Sequence, residues 1–543
     1  MIDKITRELL NIDVLLSDLR IRTVQGRFFF DKFSCFTSSD NKKLQKEYDL
    51  LFSLNDFFRE NNELYIKVID YLEHIEDISF LENKGDAHKL IIEDFFLIKK
   101  FLYFFLKIND ILEKFTIKKI SFDRNELHKV WKILSPDGKD EYYFHFYSEY
   151  NEKLRELREE KRQILIEGEK SKKKFLEKLN EKYNIKLSTD KISLSNYFEK
   201  DKIEKLLSSG DFIVLDKNFA NTMLGVCYDE SILNIEKDIH LIDEKIEKIE
   251  DEIAIELTKK ILEYKSQLIQ ANNYIGEIDF IFCRIDYLRR YNCCKPEIIS
   301  DGIFIEEGRF IFFEKFLLKK GLSYQPLTVD IENNVNIIIG MNMGGKTIFL
   351  KTLGFLAAHL NYGLPVPAVS IKMPIFDNIF FSTEDYHVDK TDLSSFGYEL
   401  YRLNEAMNLK GRNLFILDEP AKGTNPYEAV ALNKSFIKYF LENDIYALIS
   451  SHFNLYMKSE FISYFNMSYL KDDFFEHIKN LDELEFSQKL QILQNSIVYK
   501  PIEIGEIEVV PDQAINIANF LGINPKIIDN ARKFLNEVKD GNI

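Results

Sequence analysis

The sequence predicts a multidomain chain. A mainly α-helical core and lever with a long antiparallel coiled-coil arm comes first, then an α/β phosphate-loop domain, then a C-terminal helix-turn-helix. Three observations predict it. Residues 1–300 carry few prolines and glycines and long stretches of helical periodicity. Ile232, Ile235, Ile239, Ile242, Ile246, Ile249 and Ile253 recur at spacings of three and four with Glu and Lys between them, the seam of a coiled coil. From about residue 301 short apolar runs alternate with helical stretches, the pattern of an α/β domain.

The elements follow in order. Residues 1–146 read as a helical core, where Leu54, Phe57, Phe58, Tyr65, Val68 and Tyr71 form a packing stripe. Residues 147–228 form the outgoing arm: a charged helix over 147–185, then a less regular stretch with Gly210, Gly225 and the strand-like run Phe212-Ile213-Val214-Leu215. Residues 229–300 return antiparallel as the isoleucine helix, which is expected to run on to Tyr291. At about 1.5 Å per residue the pair makes an arm of roughly 50 Å, long enough to serve as a lever. Residues 301–510 are the α/β domain, with an acidic, less regular part from 471. Residues 511–543 give two short helices broken at Gly522 and Pro525.

Chemistry concentrates in the α/β part. The mostly apolar run Val335 to Ile339 leads into Gly340-Met341-Asn342-Met343-Gly344-Gly345-Lys346-Thr347, a complete phosphate loop between a strand and a helix. Gly340, Asn342, Met343, Gly344, Gly345 and Lys346 are the candidate nucleotide-binding residues. Glycines let backbone N–H groups close on phosphates, Lys346 supplies a point charge, and the helix N-terminus faces the anion. Thr347 offers a hydroxyl to Mg²⁺. Downstream, Asn413 to Asp418 is an apolar strand ending in Asp418-Glu419. Asp418 is the second candidate metal ligand, and Glu419 the group that orients the attacking water. A third strand, Tyr446 to Ser450, precedes Ser451-His452, placing an imidazole where it can sense the γ-phosphate. ATP and Mg²⁺ are the expected substrate and cofactor.

Bulk properties exclude several classes. With 45% apolar and 30% charged residues the chain is neither disordered nor membrane-spanning, and Met1-Ile2-Asp3-Lys4 opens no signal peptide. Five cysteines without Cys-x-x-Cys spacing read as reduced thiols, so a cytoplasmic location is expected. A net charge of −16 fits poorly with a dedicated polyanion binder. Residues 151–200 are locally +4, with 14 Lys and Arg against 10 Asp and Glu. The cluster Lys170, Lys172, Lys173, Lys174 and Lys178 reads first as a solvated helix face and second as a DNA contact.

The filling of the motifs resembles one family. Asn342-Met343-Gly344-Gly345-Lys346 is similar to the loop of the MutS family of ABC-type ATPases. Gly363-Leu364-Pro365-Val366-Pro367-Ala368, Ser394-Ser395-Phe396 with Glu399, Leu417 to Pro426, and Ser450-Ser451-His452-Phe453 look like its further blocks in order. Upstream, Thr23-Val24-Gln25-Gly26-Arg27 and Ile278-Asp279 look like its helical core and lever junction. The resemblance implies a dimer with composite sites. Lys346, Thr347, Asp418, Glu419 and His452 would act on their own nucleotide, and Ser394 or Ser395 of the second protomer would complete the γ-phosphate shell. The C-terminal helices would stabilise the dimer. The mismatch-reading and connector domains of the family, and the nuclease extension of some short relatives, are expected to be absent.

Three readings follow. In the first, ATP drives a clamp on duplex or branched DNA, without the mismatch reader. In the second, the arm grips a client protein. There Pro420, Ala421 and Asn425-Pro426 look closer to a MutS-related branch that reactivates adenosylcobalamin-dependent aminomutases. In the third, nucleotide is purely structural, which Glu419 opposes. The dimer is a homodimer or pairs with a related subunit, and no membrane partner is expected.

Overall fold

A computed structural model describes residues 2–83, 89–115, 122–340, 344–383, 395–470, 489, 497–504 and 513–539. The helices are α1 (Lys4–Leu9), α2 (Ile12–Ser17), α3 (Val24–Asp31), α4 (Asn41–Glu60), α5 (Asn62–His74), α6 (Phe80–Asn83), α7 (Ile92–Leu112), α8 (Arg124–Leu134), α9 (Glu152–Tyr183), α10 (Lys200–Ser208), α11 (Glu230–Leu262), α12 (Lys265–Tyr291), α13 (Ile311–Lys319), α14 (Lys346–Asn361), α15 (Ser395–Met407), α16 (Pro426–Glu442), α17 (Gln513–Phe520) and α18 (Pro525–Lys539). The strands are β1 (Lys191–Ser195), β2 (Phe212–Lys217), β3 (Asn221–Val226), β4 (Glu297–Ile298), β5 (Ile303–Gly308), β6 (Leu327–Ile331), β7 (Val335–Gly340), β8 (Ser370–Met373), β9 (Asn378–Thr383), β10 (Asn413–Asp418), β11 (Tyr446–Ser450), β12 (Ile462–Leu470) and β13 (Ile497–Glu503). The chain is multidomain, rich in helix, with mixed sheets. Contacts divide it into two compact units, one of Met1–Ile69, Lys114–Ile117 and Gly276–Ile543, the other of Asp70–Glu113 and Lys118–Ile275.

The first unit is built on a six-stranded sheet, order β13-β12-β7-β11-β10-β9, parallel except where β13 runs against β12. Its central strands are near-continuous apolar runs because both faces are covered. Val335, Ile337, Phe415, Leu417, Ala447 and Ile449 are all but inaccessible and form one core with α15 and α16. A second sheet, order β4-β8-β5-β6, lies in the same unit.

In this unit α3 and the C-terminal part of α12 approach closely because two glycines permit it. A Cβ on Gly26 would meet Asp279 Oδ2 at 2.2 Å, and one on Gly276 would meet the Gln25 carbonyl at 2.6 Å. Asp279 is fully buried and accepts from the Arg22 N–H (2.9 Å), the Thr23 N–H (2.7 Å) and the Thr23 hydroxyl (2.8 Å). Burial raises its pKa against these bonds.

Among its described residues the second unit is mainly helical, with a three-stranded antiparallel sheet, order β1-β3-β2. The apolar helix α7 buries Phe101 and Phe105 and also Lys99. Lys99 Nζ donates to the Tyr143 carbonyl (2.8 Å) and the Tyr147 hydroxyl (2.6 Å), and burial lowers its pKa. Helices α9 and α11 pack antiparallel, tied by Arg158–Glu250 (2.8 Å), Lys161–Asp243 (2.5 Å) and Lys172–Glu236 (2.6 Å). Of the isoleucine seam, Ile232, Ile242, Ile249 and Ile253 are buried and Ile235, Ile239 and Ile246 half-buried.

The single helix expected from the isoleucine seam to Tyr291 is two helices, interrupted at Glu263–Tyr264. The Tyr264 N–H bonds three residues back to Ile261 O (2.9 Å), which tightens and ends the turn. Just before it, the Thr258 hydroxyl donates to the Ala254 carbonyl (2.6 Å) and accepts the Leu90 N–H (3.0 Å), a back-bond that bends helices. No proline or glycine marks the break, so periodicity runs through it. At the C-terminus α17 and α18 are joined across Gly522, whose φ of 88° favours glycine. The acidic part from 471 lies largely outside the described residues.

Candidate nucleotide site

The site forms where β7, β10 and β11 end side by side within the first unit. Parallel register puts Asp418 opposite Ser450 and Ile338 beside Ser450. Gly340 closes β7 with φ 147°, and a Cβ there would lie 2.0 Å from the Met467 carbonyl of β12. Only glycine lets β12 approach so closely. Gly345 caps α14 with φ 82°. Asn342, Met343 and Ser394 lie outside the described residues. Ser395 is the first residue of α15, and Gly344 directly precedes the Gly345 cap.

Lys346 opens α14 with its side chain only 5% exposed. Its Nζ donates to the Gly340 carbonyl (2.9 Å), stands 3.4 Å from His452 Nε2 and 3.8 Å from Glu419 Oε1. Burial lowers the Lys346 pKa, opposed by the charges of Glu419 and Asp418. The Thr347 hydroxyl donates to Asp418 Oδ2 (2.6 Å), so the two candidate metal ligands already share a proton position. The other Asp418 oxygen accepts from the Ser450 hydroxyl (2.6 Å), which also receives the Glu419 N–H (2.9 Å).

Glu419 and Ala421 both adopt left-handed backbone, φ 56° and 60°, a strained course for residues with a Cβ. The turn brings Lys422 back to Glu419 Oε2 at 3.0 Å, while His452 Nε2 pairs closely with Glu419 Oε1. Burial raises the Glu419 pKa, but His452, Lys422 and Lys346 outweigh it and bring it to about 2. The carboxylate is therefore an anion throughout the physiological range.

Sequence reading missed Ser450 and Lys422. Ser450 could have been found by aligning the ends of two equal parallel strands, Asp418 against Ser450. Lys422 carried no such signal, because its approach depends on two left-handed residues that sequence does not announce.

A buried ammonium beside a paired hydroxyl and carboxylate suits the phosphates and Mg²⁺ of MgATP, so the donor set fits that ligand. Comparison with known proteins agrees with this chemistry. Residues 336–539 match the family described as MutS domain V, a span that holds every side chain of the site. The match covers the C-terminal part of the chain. The chain is 29% identical over 205 residues to the DNA mismatch repair protein MutS of Ruminiclostridium cellulolyticum, covering 37% of this chain and 24% of that one. It is 23% identical over 372 residues to Endonuclease MutS2 of Finegoldia magna, covering 62% and 44% respectively. To the DNA mismatch repair protein MutS of Thermosipho melanesiensis it is 22% identical over 528 residues, covering 95% and 61%. It thus spans less than two thirds of each of these relatives. Among the described residues no helix is long and apolar enough to cross a membrane.

Proposed function

We propose that this chain is a member of the MutS family, that it binds and hydrolyses MgATP at a site shared by two copies, and that it couples turnover to movement of a helical arm on DNA. The observation that supports this best is the meeting of Lys346, Thr347, Asp418, Glu419 and His452 at the ends of three adjacent strands. Lys346 and the loop residues Gly340, Asn342, Met343, Gly344 and Gly345 bind the phosphates. Thr347 and Asp418 hold Mg²⁺, which neutralises charge developing on the phosphate oxygens. Glu419, kept anionic by its cationic neighbours, orients the attacking water. His452, bonded to Glu419, links that carboxylate to the γ-phosphate position. Ser394 or Ser395 of the second copy completes the shell. Helices α9 and α11 are the coiled-coil arm, and α17 with α18 the helix-turn-helix that holds two copies together.

Glu419→Gln tests the chemistry. ATP binding should persist while turnover falls about 10²- to 10³-fold, and two copies should stay joined. Wild-type turnover in that variant would remove Glu419 from the reaction.

One observation favours a protein client as second reading. Arg158, Lys161 and Lys172 of α9 are spent on acids of α11, leaving less positive charge for phosphates. DNA affinity measured across a salt series separates the two. A DNA clamp gives a steep negative slope; weak binding with a flat slope favours the client.

A further inference from the structure

Residues Ile2 to Asp18 touch four elements of the first unit, β9, α15, α14 and the end of α12, that the proposed cycle must keep in step. Ile2 bridges in parallel to Ile379 on β9, the edge strand of the large sheet. The Thr6 hydroxyl accepts the Phe381 N–H (3.0 Å), and Thr6 is fully buried. Arg402, on the helix that begins at Ser395, donates to Asp3 Oδ1 (3.0 Å) and reaches the Phe381 carbonyl (3.4 Å). Its guanidinium lies 4.9 Å from the Phe380 ring centroid, and its side chain is 11% exposed. Asp3 meanwhile caps α1, accepting from the Ile5 and Thr6 N–H groups at 2.9 and 3.1 Å. Further on, Leu10 is buried against Gly354 of α14, where a Cβ would meet Leu10 Cδ1 at 3.0 Å. Asp18 then accepts from Arg290 Nη1 and from the Tyr291 hydroxyl, both at 2.8 Å, at the end of α12.

One short segment therefore holds the helix of the proposed partner-sensing serine, the helix of the phosphate loop and the end of α12. We infer that Ile2–Asp18 is a coupling strap and that Arg402, through Asp3, is a positioning residue for completion of the two-copy ATP site. This rests on the function proposed above. Glu399, one turn earlier on α15, accepts from the Ser382 hydroxyl (2.9 Å), a further tie of α15 to β9. Arg402 also holds the strap, through Asp3. Releasing it frees α15 to shift relative to the nucleotide without altering Lys346, Thr347 or Asp418.

The test uses the full chain, with turnover of ATP and affinity for mant-labelled ATP measured separately. Arg402→Met should lower kcat about tenfold with nucleotide affinity unchanged, and Arg402→Lys should restore most of the rate. Asp3→Asn keeps an acceptor for the α1 cap but removes the charge, and should lower kcat about threefold. Wild-type kcat in a folded Arg402→Met variant would overturn the inference, as would equal losses in rate and affinity. Should Arg402→Met fail to fold, Asp3→Asn decides, and an unchanged rate there overturns it. Failure of the proposed function shows elsewhere, as undiminished turnover in Glu419→Gln.

Discussion

The six-stranded sheet and the α9–α11 helix pair use polar residues in opposite ways. In the sheet, Asp418 is buried at a strand end and held by Thr347 and Ser450, while the partly exposed Glu419 beside it is held by His452 and Lys422. In the helix pair, charged residues sit at the margin of an isoleucine seam and pair at partly exposed positions. Buried polar groups in low dielectric are costly to disturb, whereas exposed ion pairs contribute little. Damage to the sheet should therefore be large and felt at the nucleotide, and damage to the pair small or confined to its apolar seam.

Gly340→Ala makes the largest breach. Its added Cβ meets a backbone carbonyl that no rotamer can move, at a φ that L-residues rarely adopt. It should cost more than about 4 kcal/mol and abolish binding of mant-labelled ATP. Calorimetry alongside the binding assay checks both, and a stable variant with intact affinity would deny that β12 and β7 need this approach.

Acid should find the next weak point in the same unit. His359 on α14 is fully buried, its Nδ1–H donating to the Phe355 carbonyl (2.8 Å) and its Nε2 accepting from the Tyr287 hydroxyl (2.9 Å). Burial lowers its pKa to about 4. The unfolded chain takes up that proton near pH 6.5 and the native one only near 4, so stability falls as pH drops through this window. The loss reaches about 3 kcal/mol. Unfolding followed from pH 7 to 4 should show it, and His359→Gln should flatten that part of the profile.

Ile249→Ala carries the comparison into the helix pair. Ile249 is 6% exposed in the seam, so truncation should cost about 2 to 3 kcal/mol. Hydrogen exchange should quicken in α9 and α11 while ATP affinity stays unchanged. Faster exchange in β7 or β10 would erase the distinction between the two regions.

The same contrast explains what could be read from the sequence. The strand ending at Gly340, the helix opening at Lys346, the Asp418-Glu419 strand end and the isoleucine repeat follow local patterns: glycine spacing, an apolar run and a three-four repeat each name an element and its face. What escaped reading depends on tertiary detail. The left-handed backbone at Glu419 and Ala421 that recruits Lys422 has no local signature, since neither residue is glycine or asparagine. The stop at Tyr264 arises from hydrogen bonding around Thr258 rather than from a breaking residue. The tie from Asp3 to Arg402 joins positions almost four hundred residues apart, beyond any periodicity.

Lys172→Ala is the smallest expected effect and the sharpest probe of the helix pair. Its ammonium is 2.6 Å from Glu236 at side-chain exposures of 37% and 42%, and 5.2 Å from the Tyr228 ring centroid. Bonding to Glu236 is the main cause that raises its pKa, partly offset by burial. Solvent screening and the entropy of two long side chains leave such a pair worth about 0.2 to 1 kcal/mol, less in high salt. Thermal unfolding in low and high salt should show a difference between variant and wild type that shrinks as salt rises. If Lys172 instead serves DNA, the variant should lower the salt slope of DNA binding by about one while leaving stability unchanged. A stability change without a slope change assigns Lys172 to the fold of the arm; the reverse pattern assigns it to the groove of a nucleic acid.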